Sequence, residues 1–368
     1  MDADHFDFLV LGGGPAGSAA ARGLALAGGR VLLVERRDFQ APRPGEHLAG
    51  AVRDELDRLG IAFPKASGLA QSSPGILSVW SGAPAVRSYW ATGEAQGLCV
   101  IRNCFDDLIF RAAGEAGAVT MLRTRLSHAC RTGARWQVSL LSDRDVRDVT
   151  AATIIEATGR RAAFARWQGA HRVNHGDLFA LVGWLGADTP KAREQQLLLV
   201  EACPSGWWSL SAGIGGHAIA THYTSLAALK ASCLSPEDFW RAAMESAPAV
   251  RRAVAPIDAH AGDFAICPAF PTHSSKMSGD GWIAVGDAAA ALDPVGGQGV
   301  LFALQTAARA VEALKVDPSL ETLGPIYEKS VRARLDRHLD GRTRLYADTD
   351  RMLPEIAEYV TARPPPVQ

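Results

Sequence analysis

The sequence predicts a mixed α/β (α+β) fold, in which a Rossmann-type nucleotide-binding domain carries an inserted antiparallel β-sheet domain and ends in C-terminal helices. Three observations predict it. The chain opens on a strand, a glycine-rich turn, a helix and a second strand, in that order. A strand–loop–helix of the same style returns near residue 281, and turn-separated strand-like segments occupy the stretch between the two.

The opening unit begins with an apolar run that is rich in strand-forming residues. The run breaks at Gly12, Gly13 and Gly14, and a helical pattern starts at once with Pro15 in its first turn. Gly12, Gly14 and Gly17 are spaced as G-x-G-x-x-G, with Pro15 and Ala16 between the last two. In this spacing the first glycine permits a tight turn, the second lets the backbone approach a pyrophosphate, and the third lets the helix pack closely on the strand. The unit therefore predicts a dinucleotide site.

An acidic residue completes this unit. A second apolar strand ends at Glu35, 18 residues after Gly17, where a carboxylate can accept a hydrogen bond from a ribose hydroxyl. The alternative is a glycine turn that binds no nucleotide. The complete order of strand, glycines, helix, strand and acid favours the nucleotide site.

Composition narrows the functional class. The chain has 368 residues, 48% of them hydrophobic and 21% charged, and a net charge of −1, which argues against binding to nucleic acid or to an anionic membrane surface. Arg or Gly interrupts the longest apolar runs, so we expect no membrane span. Six scattered cysteines without a C-x-x-C pair favour free thiols, and the acidic start does not resemble a signal peptide, so we expect a cytoplasmic protein.

The pattern of elements predicts how the chain is divided. Residues 1–170 form the first part of the nucleotide-binding domain, with a small insert near 72–100. Residues 171–275 form an antiparallel-sheet domain that binds the substrate, 276–315 return to the nucleotide-binding domain, and 316–368 are C-terminal helices and a tail.

A second glycine-rich stretch lies at 281–300. A strand ends in Gly286 and Asp287, and a loop of sequence DPVGGQG then leads into a helix. Glycines let the backbone approach a ligand, and the start of the helix directs its positive dipole end at that ligand. A flavin ring suits this arrangement, because its reduced form carries negative charge. An ordinary strand–loop–helix is the weaker alternative.

Together these motifs resemble a known family. The glycine triplet, Glu35-Arg36, Arg102 within R-x-x-F-D-x-x-L, and the G-D…D-P…G-Q-G series are similar to the p-hydroxybenzoate-hydroxylase-type FAD proteins. That superfamily includes aromatic hydroxylases, flavin-dependent halogenases and geranylgeranyl reductases. The likeness covers roughly residues 5–170 and 275–315.

The resemblance implies a set of FAD contacts. Glu35 and Arg36 would hold the adenosine ribose, Arg102 the phosphates or ribityl chain, and the backbone of Leu126 the adenine. Asp287 would bind a ribityl hydroxyl, and the turn from Pro294 would cradle the isoalloxazine. The complete implied set is Gly12, Gly14, Pro15, Ala16, Gly17, Glu35, Arg36, Arg102, Leu126, Thr158, Gly159, Gly286, Asp287, Pro294, Gly297, Gln298, Gly299 and Val300.

Departures from the family pattern favour one subgroup. Thr158-Gly159 stands where the hydroxylases carry Asp-Gly, and this form resembles the halogenase-like proteins and the maturation flavoproteins of tryptophylquinone enzymes. The halogenases also need a lysine beside the strand near residue 75, where this chain has Ser72, Ser73 and Pro74, and Lys65 is the nearest lysine. Their loop glutamate aligns with Gly296, and their W-x-W-x-I-P signature is absent.

The sequence therefore favours an FAD-dependent monooxygenase that hydroxylates an aromatic or indole substrate through a C4a-(hydro)peroxyflavin, with O2 as co-substrate. The substrate would be an aromatic small molecule, such as a natural-product intermediate, or a group bound to a carrier or partner protein, such as a tryptophan. NAD(P)H or a separate flavin reductase would supply electrons. The alternatives are a halogenase, a geranylgeranyl-reductase-like enzyme and a flavin-binding maturation or docking partner.

No catalytic side chain follows from the sequence, and we find no metal-binding pattern. Aromatic and histidine residues supply the candidates for the substrate pocket. They are His47, Trp80, Trp207, Trp208 and His222.

Overall fold

A computed structural model describes residues 4–61, 70–143, 145–186, 197–212, 217–254 and 261–361 of the chain. Within these residues two large sheets carry most of the fold, and two three-stranded sheets join them. The mixed α/β architecture confirms the predicted fold class. Lys65 lies outside the described residues.

The first sheet has eight strands. They are β1 (Asp4–Leu11), β2 (Val31–Val34), β8 (Val119–Met121), β9 (Thr124–Thr132), β10 (Arg135–Ser142), β11 (Val146–Glu156), β19 (Ser278–Gly279) and β20 (Trp282–Ala284). The order is β19-β20-β11-β1-β2-β8, and the hairpin of β9 and β10 attaches to β11. The pairs among β20, β11, β1, β2 and β8 are parallel.

Helices cover this sheet, which explains why its central strands are apolar throughout. All four residues of β2 are buried. The helices that pack around the sheet and its loops are α1 (Pro15–Leu26), α2 (Val52–Arg58), α3 (Arg102–Glu115), α4 (Ala163–Trp167) and α8 (Gly299–Val316). Because parallel strands all end at one edge, the loops after β1, β2, β11 and β20 meet there.

The second sheet has seven strands. They are β5 (Gly75–Val79), β6 (Ala85–Ser88), β13 (Leu178–Gly186), β14 (Leu198–Cys203), β15 (Gly206–Ala212), β16 (His217–Ser225) and β17 (Ala261–Pro268). The order is β17-β13-β16-β15-β14-β5-β6, and only β14 and β5 pair in parallel. The segment expected to be an insert of the first domain thus supplies two strands to this sheet. The sequence did not indicate this pairing, because strand pairing is not local.

The remaining elements join and cover the two sheets. One small sheet consists of β3 (His47–Leu48), β4 (Ala70–Ser73) and β7 (Gly97–Val100), and the other of β12 (Arg172–Asn174), β18 (Thr272–Ser274) and β21 (Ala290–Ala291). The other helices are α5 (Leu226–Ala231), α6 (Pro236–Glu245), α7 (Pro248–Val254), α9 (Leu323–Ala347) and α10 (Pro354–Thr361). In the described part of the chain, no helix has the length and apolarity needed to cross a membrane.

Candidate active site

The three glycines of the motif in the turn between β1 and α1 have different surroundings. Gly12 has a φ of +109°, and a Cβ added there would lie 2.3 Å from the carbonyl oxygen of Ala157. A Cβ on Gly17 would lie 1.8 Å from the carbonyl oxygen of Gly12. Around Gly14, in contrast, a Cβ would meet no protein atom within 4 Å. Packing therefore requires Gly12 and Gly17, whereas Gly14 borders open space in which a ligand fits.

The start of α1 is suited to an anion. Gly14 at the N-cap supplies no side chain to the first turn, and that turn contains no acidic residue. The Glu35 carboxylate lies nearby at the end of β2 and accepts hydrogen bonds from the N–H groups of Gly13 (2.8 Å) and Arg37 (3.0 Å). Each carboxylate oxygen keeps a further lone pair for a ribose hydroxyl. Arg36 beside it is exposed.

Arg102 anchors the loop that follows β2. Its guanidinium donates to the carbonyl oxygens of Pro44 (2.9 Å) and Gly45 (3.2 Å) and forms an ion pair with Asp106 at 3.2 Å. Asp106 is buried and also pairs with Arg43 at 2.9 Å. Arg102 thus fixes the backbone of this loop. It also lines a cavity between the loop and the second sheet.

The loop after β11 lies against the glycine turn. Thr158 donates its N–H to the buried Glu156 carboxylate (2.6 Å), and its hydroxyl accepts from Ala163 N–H (2.9 Å). Gly159 follows with a φ of +70°. Leu126 lies in the edge strand β9, on the side of the sheet where β2 ends.

The second glycine-rich loop lies opposite. Gly286 has a φ of +58° and donates its N–H to the hydroxyl of Thr306 (2.9 Å), and half-buried Asp287 lies 3.7 Å from Arg160. A turn from Pro294 leads to Gly297, where φ is +59°.

Helix α8 begins directly after this turn and has a bare N-terminus. Gln298 makes no side-chain cap, and the first turn, which starts at Gly299 and Val300, has no acidic residue. The helix start thus offers unpaired N–H groups and a positive dipole end to a negatively polarised ligand.

A cavity of about 450 Å³ connects this loop to the second sheet. On the side of the first sheet its wall includes Arg102, Arg160, Asp287 and the turn 293–300. Its other wall is largely aromatic and aliphatic. That wall includes Ile76, Trp80, Tyr89, Ala180, Leu198, Val200, Trp207, Ile219 and Tyr223, with Ser209, Ser211 and Thr221 between them. Trp207 and Tyr223 are stacked with ring centroids 3.8 Å apart. The cavity can therefore hold a planar ring beside the loop.

Three of the five predicted pocket residues, His47, Trp80 and Trp207, line this cavity. Trp208 and His222 do not, so the prediction was wrong for them. Neighbouring residues of a strand point to opposite faces, and Trp208 lies with His222, rings 4.7 Å apart, on the far face of the sheet. There Trp208 also packs against Trp240 of α6 in a separate core.

Sequence reasoning missed Glu46, Tyr223 and Asp293 as residues of this cavity. Asp293 is buried within the D-P motif, and burial raises its pKa to about 6 despite Arg342 at 3.8 Å. Glu46 is buried within a Pro/Gly loop, and burial raises its pKa to about 7. Sequence reasoning passed over Glu46 because a charged residue in such a loop is normally exposed.

Comparison with known sequences identifies the family. The family described as "FAD binding domain" matches residues 5–316. The chain belongs to this family. The resemblance to the p-hydroxybenzoate-hydroxylase-type FAD proteins is thereby confirmed, and the protein is an FAD-dependent oxidoreductase.

Individual relatives share most of the chain. The putative FAD-dependent oxidoreductase LodB of Marinomonas mediterranea is 26% identical over 349 residues, which make up 93% of this chain and 93% of that protein. The flavin-dependent halogenase CmlS superposes with a TM-score of 0.86 at 19% identity, covering 100% of this chain and 69% of CmlS. QhpG, a peptidyl tryptophan dihydroxylase essential for tryptophylquinone cofactor biogenesis, superposes with a TM-score of 0.74 at 21% identity, covering 94% and 76%. At these identities the two structures show a shared fold.

The residues of this FAD-binding chain fit the cofactor. Open space at Gly14 before an uncapped helix start suits a pyrophosphate, and the free lone pairs of Glu35 suit a ribose. The bare start of α8 beside Gly297 suits the negatively polarised edge of an isoalloxazine.

Proposed function

We propose that this flavoenzyme is a monooxygenase that hydroxylates an aromatic ring, with an indole as the favoured substrate. FAD would lie with its pyrophosphate at the start of α1, its ribose at Glu35 and its isoalloxazine at the turn 294–300. Bound there, the reduced flavin supplies two electrons to O2, so that one oxygen atom enters the ring and the other leaves as water.

The observation that carries this proposal is the continuity of one cavity from the turn 294–300 to an aromatic wall. Trp80, Trp207 and Tyr223 offer ring faces and edges to a planar substrate. Ser209, Ser211 and Thr221 place hydroxyl groups between these rings, and such groups can orient a bound ring by hydrogen bonds.

Halogenation is less well supported by this cavity. A halogenase of this superfamily needs a lysine in the space between flavin and substrate. Among the described residues that line the cavity, none is a lysine, and Gly296 stands at the position of the halogenase glutamate. Reduction of a long isoprenoid is also less well supported, because a cavity of about 450 Å³ with Glu46, Asp287 and Asp293 in its walls suits a compact ring.

The substrate of QhpG suggests a partner for this chain. That protein acts on a peptidyl tryptophan. We propose that the substrate of the present enzyme is an indole. The indole would belong to a peptide, to a carrier-bound group or to a free small molecule. We propose NAD(P)H or a separate flavin reductase as the electron source.

Isotope labelling tests the proposal. The FAD-loaded protein would be reduced, mixed with ¹⁸O2 and offered indole, L-tryptophan or a tryptophan-containing peptide, with and without bromide. One ¹⁸O atom in a ring-hydroxylated product, unaffected by bromide, is expected. A brominated ring would assign halogenation instead. Oxidation of the flavin with release of hydrogen peroxide alone, with every ring tested, would contradict hydroxylation of indoles and favour a docking role.

The electron source is tested in parallel. NADH and NADPH would each be mixed with the oxidised holoprotein under anaerobic conditions, and bleaching of the flavin absorbance recorded. Slow bleaching with both, against rapid reduction when a flavin reductase is added, is expected from Thr158 in place of the hydroxylases' Asp.

A further inference from the structure

Glu46 is a buried carboxyl group in the wall of the cavity. Its backbone oxygen accepts a hydrogen bond from Val100 N–H of β7 at 2.8 Å, which holds the residue in place just before β3. Its side chain lines the cavity and is almost fully buried. The carboxyl Oε1 has no hydrogen-bond partner among the residues that the structure describes. A buried carboxyl oxygen normally has a partner, so this atom is available to a ligand.

Four ionisable groups lie on the elements around Glu46, and none of them takes up or releases a proton near neutral pH. Arg102 of α3 attracts its negative charge, but Arg102 is held by Asp106 and two carbonyl groups. Burial raises the pKa values of Cys99 on β7 and Tyr223 on β16, so both remain protonated. Burial lowers the pKa of neighbouring His47 to about 4, so that imidazole remains neutral.

Unlike these four groups, Glu46 changes charge near neutral pH, whereas burial raises the pKa of Asp293, which also lines the cavity, to about 6. Burial raises the pKa of the Glu46 carboxyl group to about 7, with Arg102 and the nearby N–H groups of Gly45 and Glu46 opposing that rise. A group with such a pKa suits proton transfer at neutral pH, since it takes up and releases a proton readily.

The fold brings this group close to the wall formed by the second sheet, where its charge acts on Tyr223. Cys99, the strand neighbour paired with His47, contacts Ser211 of the second sheet, with Sγ and Oγ 3.7 Å apart. Glu46 thus lies at the seam where the small sheet meets the substrate-binding wall.

We propose that Glu46 accepts the proton of a ring N–H or O–H group, and that the enzyme therefore takes indoles and phenols. This inference rests on the proposed hydroxylation. The proton moves from the ring heteroatom to Oε1 of Glu46, and the bonding electron pair stays on the heteroatom and enriches the ring. A ring carbon then forms a bond to the oxygen atom supplied by O2 and reduced flavin, while the second oxygen leaves as water. Loss of the ring C–H proton to solvent restores aromaticity, and Glu46 returns its proton to the heteroatom.

Paired ligands that differ by one methyl group test this assignment on the FAD-loaded protein. Indole is compared with 1-methylindole, and phenol with anisole, with binding recorded from the change in flavin absorbance between pH 5.5 and 8.5. Because the carboxylate accepts a stronger hydrogen bond than the acid, the preference for the N–H or O–H ligand should rise about tenfold as pH increases. In Glu46→Gln the preference should be independent of pH.

Glu55→Gln is the matched control, because Glu55 is also buried but lies outside the cavity wall. It should retain the pH-dependent preference. The affinity for FAD should be unchanged in both variants. A preference independent of pH in the wild type, a pH-dependent preference retained in Glu46→Gln, or no binding of any of the four ligands would overturn the inference.

A second measurement does not depend on a ring ligand. With glutamate labelled at Cδ, ¹³C NMR should show one resonance that titrates near pH 7 and is missing in Glu46→Gln. A midpoint below pH 5 would overturn the assignment even if the ¹⁸O experiment succeeds. Conversely, failure of ¹⁸O incorporation beside an intact pH-dependent preference would overturn hydroxylation and leave Glu46 as the group that recognises the ring donor.

Discussion

Trp207 donates its indole N–H to the phenol oxygen of Tyr346 at 2.7 Å. The bond joins β15, in the second sheet, to α9, which follows α8 in the chain. The Tyr346 hydroxyl in turn lies 3.5 Å from the buried carboxylate of Asp293, at the start of the turn 294–300. One chain of polar contacts therefore connects the two walls of the cavity.

Removing the Tyr346 hydroxyl should destabilise the fold and loosen this wall. In Tyr346→Phe the buried N–H of Trp207 loses its acceptor, so the free energy of unfolding should fall by about 1–3 kcal/mol. Urea unfolding of Tyr346→Phe, Trp207→Phe and the double variant measures the coupling, which should be at least about 0.5 kcal/mol.

Tyr327→Phe is the control for this cycle. Its hydroxyl is also buried and donates to Ala284 O at 2.7 Å, away from the cavity. Tyr327→Phe should lower the free energy of unfolding to a similar extent. Its effect should add to that of Trp207→Phe without coupling. Equal coupling in both cycles would contradict a specific link between Trp207 and Tyr346.

The glycines of the opening turn should respond differently to substitution. A Cβ on Gly14 would meet no protein atom within 4 Å, and Gly14 has φ −70° and ψ 180°, which any residue adopts. The variant Gly14→Val should therefore fold, while its affinity for FAD falls more than about tenfold, since the side chain occupies the space of the pyrophosphate. Gly17→Ala should fail to fold, because its Cβ would overlap the carbonyl oxygen of Gly12.

Calorimetric titration with FAD and thermal unfolding separate the two effects. Gly341→Ala in α9 meets no neighbour either and serves as the control, with unchanged FAD affinity and slightly higher stability. Normal FAD binding by Gly14→Val would show that the pyrophosphate does not bind at this turn.

The sequence predicted those parts of the molecule whose rules are local. The glycine turn, the strands on either side of α1 and the start of α8 follow from residue types at fixed short spacings, and the structure contains all of these elements. The edge strand β9 and the place of β5 and β6 were not predictable in this way, because each depends on a strand far away in the chain.

The contrast between Trp207 and Trp208 shows where prediction of the site failed. Both residues are buried, and a run of two tryptophans does not indicate which one faces a ligand. The answer depends on which face of the sheet α6 covers, and therefore on Trp240 in a later segment. Glu46 was missed for the same reason, since its backbone pairs with β7, which lies far away in the chain.

Arg102 should influence both the cofactor and Glu46. In Arg102→Met the loop at Pro44 and Gly45 loses its anchor, and FAD affinity should fall about tenfold. Arg102 lowers the pKa of the Glu46 carboxyl group, which burial raises to about 7. In this variant the pKa of Glu46 should therefore rise above 7. Arg102→Lys keeps the charge without the paired hydrogen bonds, so it should weaken FAD binding but leave the titration of Glu46 near pH 7.

The same ¹³C NMR titration measures this effect. Arg111→Met is the control, since Arg111 is exposed on α3 and pairs with Asp107. An unchanged midpoint in Arg102→Met would show that Arg102 does not act on Glu46.

His222 should make the fold sensitive to acid. It is fully buried against Trp208, and burial lowers its pKa to about 3 from the usual value near 6.5. Its neighbours Cys203 and Ser205 bring no charge that would stabilise the protonated ring. At low pH the unfolded chain takes up a proton on His222 that the folded chain excludes. His222 therefore does not reduce the free energy of unfolding above pH 6.5. Below that pH it reduces this free energy by about 1.4 kcal/mol per pH unit, down to about pH 3.

His222→Gln should therefore lose about 2 kcal/mol less than the wild type between pH 7 and pH 5. Urea unfolding at the two pH values measures the difference. His128→Gln, at an exposed position, should show the wild-type dependence on pH. An equal loss in His222→Gln would mean that His222 is protonated in the folded protein, which its burial beside the uncharged Trp208 opposes.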